Sequence, residues 1–308
     1  RLAIANKNNI TTSFYKKIYR LILSFGFLLC AAIRRGPGVG FHVAIVKSSV
    51  SLLFSGLSFS QIHQLLVFPL DSVRYFEFDF LWRVILKRQS LGTYLDVSSP
   101  RLFSFRALNH REFKSALVLN PDKSDLDLTR NIFLASGIGS LCETKAVLVS
   151  DLREKPNSFD TIVCISVLEH IPYSDSIDAL CTMWDLLKTG GRLLLSVPCA
   201  KEGFDEYIDF NEYGILLPDP DGFVFGQRFY DQEMLENQIF RITGNPSEFA
   251  VFGEIVSGTF FSAREKMLCS TDYPYWKEAY TISTEYKYFS RVEDLPGLGV
   301  IAFEFVKP

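Results

Sequence analysis

The sequence predicts an α/β fold: a doubly wound, mostly parallel, Rossmann-like sheet with helices on both faces and a helical amino-terminal extension. Three observations predict it. From residue 92 onward, short apolar runs alternate with segments of helical spacing, the pattern of successive βα units. Those runs are apolar on nearly every residue, as strands covered on both faces are. Before them, residues 1–90 are strongly apolar and carry 12 Lys/Arg against 3 Asp/Glu, a composition unlike the rest.

In chain order, residues 1–90 read as mainly helical, with GPGVG (36–40) separating two apolar stretches. This glycine cluster is no phosphate loop, because no clear strand precedes it and it lacks the Lys-Ser/Thr pair that grips phosphate. The run Leu21–Ile33 is flanked by Lys16, Lys17 and Arg20 before it and by Arg34 and Arg35 after it. A spanning helix needs about 20 apolar residues, so this run is expected as a packed or interfacial helix. The basic pair behind it fits a secretion signal poorly. The aromatics of PLDSVRYFEFDFLWRVI (69–85) are expected to pack against the domain that follows, over 91–308.

In that domain TYLDVS (93–98) reads as the first strand and PRLFSFRALNH (100–110) as its helix, with Pro100 at the first helical position behind a serine N-cap. The junction Ser98-Ser99-Pro100 contains no glycine, so ordinary backbone angles are expected there. SALVLN (115–120) is a strand, and DLDLTRNIFLASG (125–137) a helix ended by Gly137. KAVLVS (145–150) and FDTIVCIS (159–166) are strands. SIDALCTMWDLLK (176–188) is a helix with Ile177, Leu180, Cys181, Trp184 and Leu187 as its buried stripe. Gly190-Gly191 end it, and RLLLSVP (192–198) is the next strand. DQEMLENQIF (231–240) is a helix capped by Asp231, and FAVFGEIV (249–256) and GVIAFEFV (299–306) supply the last two strands. Two insertions interrupt the pattern, a long loop at about 201–229 and an aromatic excursion at about 257–296. Long excursions near strand ends commonly form substrate lids.

The six cysteines form no C-x-x-C pair and the four histidines have no ligand spacing, so neither a metal site nor a disulfide framework is expected. A reducing, cytoplasmic setting fits. Residues 91–308 carry 20 basic and 32 acidic residues, and a nucleic acid would meet net repulsion there. The basic segment has two readings. One is a helical subdomain with a solvated basic face; the other is peripheral contact with an anionic membrane through 1–35. Ligands of such sheets bind outside the carboxyl ends of the strands, which here are Asp96–Ser99, Asn120–Asp122, Asp151 and Ser166–His170.

Four stretches then carry a resemblance: YLDVSSP, SDLREKPNSFDTIVCISVLEHIP, LLKTGGRLLLSVP and FYDQEML. In order and separation, residues 92–199 resemble the core of the class I S-adenosylmethionine-dependent methyltransferases, of the type 11-like group whose fourth strand ends in a Leu-Glu-His turn. The departure is the first loop, where Ser98, Ser99 and Pro100 stand in place of the family's glycines. The resemblance implies S-adenosyl-L-methionine as cofactor. It implies that Asp96 helps hold the cofactor's amino-acid end through the loop or a water; as a bare carboxylate it reads as a helix cap. Backbone N–H groups at Ser98, Ser99 and the helix start would meet the methionine carboxylate, with Arg101 adding a charge-assisted bond or else facing solvent. Asn120 stands where the family has an acid for the ribose hydroxyls, and the resemblance implies that Asp122 takes that role instead; alternatively, both form a turn and cap. Asp151 would accept from the adenine amino group and the Leu152 backbone would read a ring nitrogen. Ser166 and Leu168 would flank the methyl group, and His170 would act as general base or, bonded to backbone, as a structural residue.

The function implied is methyl transfer to an oxygen or nitrogen of a small-molecule, sugar or lipid-linked acceptor. The alternative is a methyltransferase-fold scaffold or regulatory partner without catalysis. A nicotinamide oxidoreductase is disfavoured because no G-x-G-x-x-G turn is present.

Overall fold

The computed structural model of the chain describes residues 14–51, 59–67, 69–70, 72–209, 217–269 and 273–308. Residues 1–13 of the expected extension and 210–216 of the expected loop lie outside them. Among the described residues four helices precede the sheet: α1 (Phe14–Ile33), α2 (Val39–Ser51), α3 (Phe59–Val67) and α4 (Arg74–Leu86). The βα alternation follows as β1 (Thr93–Val97), α5 (Arg101–His110), β2 (Ser115–Leu119), α6 (Lys123–Ala135), β3 (Cys142–Lys145), β4 (Phe159–Ile165), α7 (Tyr173–Leu186) and β5 (Leu187–Ala200). A hairpin, β6 (Phe204–Ile208) and β7 (Val224–Phe229), interrupts it. The helical stretch after it runs through α8 (Gln232–Met234), a π-helical segment (Leu235–Phe240) and α9 (Arg241–Thr243). The chain ends with β8 (Glu248–Glu254), α10 (Thr259–Cys269), α11 (Glu278–Glu285), β9 (Tyr286–Phe289) and β10 (Leu298–Val306).

Eight strands form the main sheet in the order β3-β2-β1-β4-β5-β10-β8-β9. The first five pair in parallel, and β10 enters antiparallel between β5 and β8. Alternation along each strand divides the core into two layers. Tyr94, Val118, Val163 and Leu194 face the layer built by α2, α4, α5 and α6. Leu95, Leu117, Ile162 and Leu193 face the layer built by α7 and the 232–243 stretch. The expected doubly wound sheet is thus the observed one.

Helix α4 ties the amino-terminal helices to the sheet, as its aromatics predicted. Phe76 stacks on Phe252 of β8 at 4.8 Å, and Phe78 meets Phe103 of α5 at 5.2 Å. Arg106 of α5 lies over Trp82 at 4.3 Å, a cation–π contact that keeps this charge against the aromatic cluster.

Several expectations are corrected. The third strand is Cys142–Lys145, not 145–150; residues Val149–Asp151 form a 3₁₀ turn. The strand lies at the sheet edge, paired only with β2, so its polar residues C-E-T-K are tolerated, while Val149 turns into the core. The buried residues of α7 are Ser176, Ala179, Leu180, Met183 and Leu186, a stripe rotated by about one residue from the expected one. Ser176 is tolerated there because its Oγ donates to Tyr173 O at 2.8 Å. The expected 201–229 loop contains the β6–β7 hairpin. The expected 257–296 excursion contributes an edge strand, β9, antiparallel to β8.

Candidate active site

The carboxyl ends of β1, β2, β4 and β5 are stitched together by serines. Ser98 follows β1 with φ of +54°, so the glycine-free turn is left-handed after all, contrary to the expectation of ordinary angles. Both Ser98 N and Ser98 Oγ donate to Leu119 O of β2, at 3.0 and 3.2 Å, which holds the residue in that conformation. Ser99 N donates to Asp96 Oδ1 at 2.8 Å, and Ser99 Oγ accepts from Ile165 N of β4 at 3.0 Å. Ser99 is therefore a tie between strands rather than the expected N-cap. Pro100 occupies the cap position and the helix begins at Arg101. Ser166, after β4, is also left-handed, with φ of +49°. Left-handed non-glycine residues are uncommon and gather at functional sites. Of the five among the described residues, Ser98 and Ser166 stand at two of the strand ends where such sheets bind ligands.

Ser98 yields a direct test. Ser98→Gly is expected to change stability by no more than about 0.5 kcal/mol. Relief of roughly 1–2 kcal/mol of left-handed strain is offset by roughly 0.5–1 kcal/mol of glycine entropy and the lost Oγ bond. Ser98→Val places a β-branched side chain at positive φ and is expected to destabilise by about 2 kcal/mol. Urea unfolding of both variants measures the difference.

Asp96 is fully buried at the end of β1. Its Oδ1 accepts from Ser99 N, and its Oδ2 accepts from Ser104 Oγ of α5, which also pairs with Tyr94 Oη at 2.7 Å. Burial raises the carboxyl to about 6, against the partial compensation of these hydrogen bonds. Asp96 therefore shapes the turn, joining strand, loop and helix.

At the end of β2 the side chains are committed to a turn and a cap. Asn120 Oδ1 accepts from Asp122 N, and Asn120 Nδ2 donates to Asp125 Oδ2, both at 2.9 Å. Asp122 caps α6 by accepting from Ser124 N and Asp125 N. Arg101 forms an ion pair with Asp125, so it neither faces solvent alone nor extends from the helix start by itself. Asp125, given no role by the sequence, is the hub that joins Asn120 to Arg101. Asp151 is exposed in its 3₁₀ turn six residues beyond β3, while Leu152 beside it is buried. The turn brings both into the loop after β3, although the strand ends earlier than expected.

Beyond β4 lies a buried polar cluster that the sequence reading found only in part. Glu77 of α4 has no exposed surface and accepts from Ser166 Oγ and from Ser196 Oγ of β5, the latter at 2.7 Å. Arg74, one turn earlier, pairs with it at 3.1 Å. A helix of the amino-terminal region thereby reaches between the ends of β4 and β5. The available signals were the acids Glu77 and Asp79 inside RYFEFDF and a lone hydroxyl inside RLLLSVP, polar residues in apolar runs.

Leu168, Glu169 and His170 form a 3₁₀ turn, with Leu168 and Glu169 buried. Glu169 Oε2 has no hydrogen-bond partner among the described residues. Burial, reinforced by the nearby charge of Glu77, pushes its carboxyl up to about 8. His170 Nδ1 lies 2.7 Å from Gly226 O of β7, an acceptor that requires the proton on Nδ1. Burial lowers this imidazole to about 4. A neutral ring of such low basicity ties β7 to the β4 turn and is poorly matched to general-base work near neutrality. The hairpin has a second anchor at Tyr230, whose N donates to Pro198 O while its C=O accepts from Ala200 N, both at 3.0 Å. Together these bonds hold β6–β7 against the ends of β4 and β5.

The donor set suits an anionic amino-acid carboxylate: a left-handed turn leads directly into the first-turn N–H groups of α5. Among the described residues no three His, Cys, Asp or Glu side chains group as metal ligands, and no helix is long and apolar enough to cross a membrane.

Comparison with known proteins agrees with this geometry. A family model described as a methyltransferase domain matches residues 90–239. A 49-residue stretch is 49% identical to the ubiquinone biosynthesis O-methyltransferase of Xanthomonas euvesicatoria pv. vesicatoria (strain 85-10). That match covers 16% of this chain and spans about a fifth (20%) of the length of that curated relative. Among solved structures, the MccD protein aligns over 77% of this chain and 99% of its own, with a TM-score of 0.50 and 11% identity, a likeness of fold alone. The geranyl diphosphate C-methyltransferase of Streptomyces coelicolor A3(2) aligns over 81% of this chain and 78% of its own, with a TM-score of 0.49 and 10% identity. Residues 90–239 are thus matched as a methyltransferase domain, and their strand order and strand-end turns resemble those of the class I S-adenosylmethionine-dependent methyltransferases.

Proposed function

We propose that the chain transfers a methyl group to an oxygen or nitrogen atom of a small-molecule, sugar or lipid-linked acceptor. The observation that carries the reading is the left-handed Ser98 turn running into α5, which supplies without glycine the backbone geometry a cofactor carboxylate needs. S-adenosylmethionine, when bound, supplies the electrophilic methyl. The chain's own part is positioning. The first-turn N–H groups of α5 hold the carboxylate end, on a turn whose shape Ser98 and Ser99 fix through their bonds to Leu119, Asp96 and Ile165; the Asn120–Asp125 turn flanks the ribose side, and Leu152 walls the adenine side. Ser166 and Leu168 border the place where methyl and acceptor meet, under the β6–β7 hairpin.

Positioning of this kind supplies most of the rate when the acceptor is already nucleophilic. His170 serves as an anchor for the hairpin. The 20 basic and 32 acidic residues of 91–308 support a small or lipid-linked acceptor over nucleic acid.

Calorimetric titration of the full chain with S-adenosylhomocysteine tests the reading. Saturable binding is expected, and radiolabelled methyl from S-adenosylmethionine should then appear in a small-molecule or lipid-extractable product. Absence of binding at millimolar ligand would sink the enzyme reading in favour of a scaffold, for which the commitment of Asn120, Asp122 and Arg101 to intramolecular bonds already argues.

A further inference from the structure

Helix α1 has two faces of opposite fate. Its inner face is fixed to the protein: Leu28 and Ala31 are buried, Ser24 Oγ donates to Val67 O at 2.7 Å, and Phe27 meets Tyr280 of α11 at 5.6 Å. Arg20 extends from the same side over the Trp276 ring at 4.9 Å. On the opposite face Ile18, Tyr19, Ile22, Phe25, Leu29 and Ile33 are exposed, Ile22 at 66% and Ile33 at 75%. At about 100° per residue these six fall within a stripe roughly 120° wide, on the side away from Ser24 and Ala31. An apolar stripe this long, pointing outward from a helix locked in place, marks an interaction surface.

The charge around it identifies the partner. The first 70 residues of the chain contain no Asp or Glu and eight Lys or Arg. Arg34 and Arg35 are exposed just beyond the carboxyl end of α1, and Lys47 is exposed on α2. No described helix is long and apolar enough to span a bilayer, and the inner face of α1 is held by protein. Apolar residues on one side and basic residues at the end are the features of a helix lying in a membrane interface. We propose that the outer face of α1 docks on an anionic lipid surface, with Ile22, Phe25 and Leu29 entering the headgroup–acyl boundary and Arg34 and Arg35 meeting lipid phosphates.

Docking in this way leaves the sheet domain attached to the bilayer through α4, which carries Glu77 into the active site. The surface is defined without reference to the acceptor, so its test reads lipid binding rather than turnover.

The test is co-sedimentation of the full chain with phosphatidylcholine vesicles, with and without phosphatidylglycerol. The wild type is expected to bind the anionic vesicles at least about tenfold more strongly than the neutral ones, and less at high salt. The pair Ile22→Asp and Leu29→Asp, at exposed positions, should lose binding while keeping the wild-type thermal melt. The pair Arg34→Glu and Arg35→Glu alters charge alone and should weaken binding on the order of tenfold. Failure of the wild type to bind anionic vesicles at low salt would overturn the proposal, as would wild-type binding by both variant pairs. A concentration-dependent dimer that the Ile22/Leu29 pair abolishes, without vesicle binding, would also overturn it and assign the face to a second copy.

Discussion

Glu169→Gln is expected to remove much of the loss of stability that the wild type suffers as pH rises from 4.5 to 8. Glu169 is 2% exposed, and burial is the main cause that lifts its carboxyl from 4.5 to about 8, with the charge of Glu77 adding to it. The sign follows from proton counting. Between these values the folded state holds a proton that the unfolded state has released. The contribution is therefore fully present below 4.5 and is lost as pH climbs through about 8. At about 1.4 kcal/mol per pKa unit, the total is on the order of several kcal/mol. Gln is neutral throughout and nearly the same shape. The variant should match the wild type in acid and exceed it in stability in mild alkali. Urea unfolding across a pH series measures the two slopes; equal slopes would show that Glu169 is not the titrating group.

The turn that carries Glu169 was visible in the sequence, but its electrostatic partner was not. SVLEHIP stands out because a short polar turn interrupts two apolar segments at a strand end. Glu77 lies 92 positions earlier in a different region, and nothing in RYFEFDFLWRV shows that one helical face crosses to the ends of β4 and β5. Only the packing of Phe76 on Phe252 and Phe78 on Phe103 sets that crossing. Long-range placement of this kind follows from side-chain interdigitation, which local pattern does not encode.

The strands divide along similar lines. β1, β2, β4, β5, β8 and β10 are legible because burial on both faces demands nearly unbroken apolar runs. The edge strands are less so. β3 reads C-E-T-K and β9 reads Y-K-Y-F, each with one sheet neighbour and a partly wet face, so their composition resembles loop or hairpin. The stronger apolar run after β3 drew the expected strand toward 145–150. At the first loop the junction is legible but its geometry is not. Glycine is the usual source of positive φ, whereas two donations from Ser98 to Leu119 O hold serine there.

Those bonds make Asp96 the position where one substitution should most damage cofactor binding. Asp96→Ala removes the acceptor for Ser99 N and for Ser104 Oγ in a fully buried site, and leaves a cavity between β1 and α5. An unmet buried donor costs roughly 1–3 kcal/mol, and the chain can recover hydrogen bonds only by moving the Ser98–Pro100 turn. A turn displaced by even part of an ångström no longer presents the α5 first turn to a carboxylate. The dissociation constant for S-adenosylhomocysteine is expected to rise about 30-fold, equivalent to about 2 kcal/mol. Ser104→Ala removes only the Oδ2 partner and leaves the Ser99 tether intact, so it should raise the constant by about threefold, under 1 kcal/mol. Calorimetry on the two variants separates the tether from the general effect of disturbing a buried carboxyl. If Asp96→Ala stays folded by circular dichroism and binds as the wild type does, the turn is not what holds the ligand. Equal losses in the two variants would assign the effect to the Tyr94–Ser104–Asp96 chain as a whole. The expected inequality instead assigns it to one bond, from Ser99 N to Asp96 Oδ1, which lets a serine-built loop keep the shape of a glycine turn.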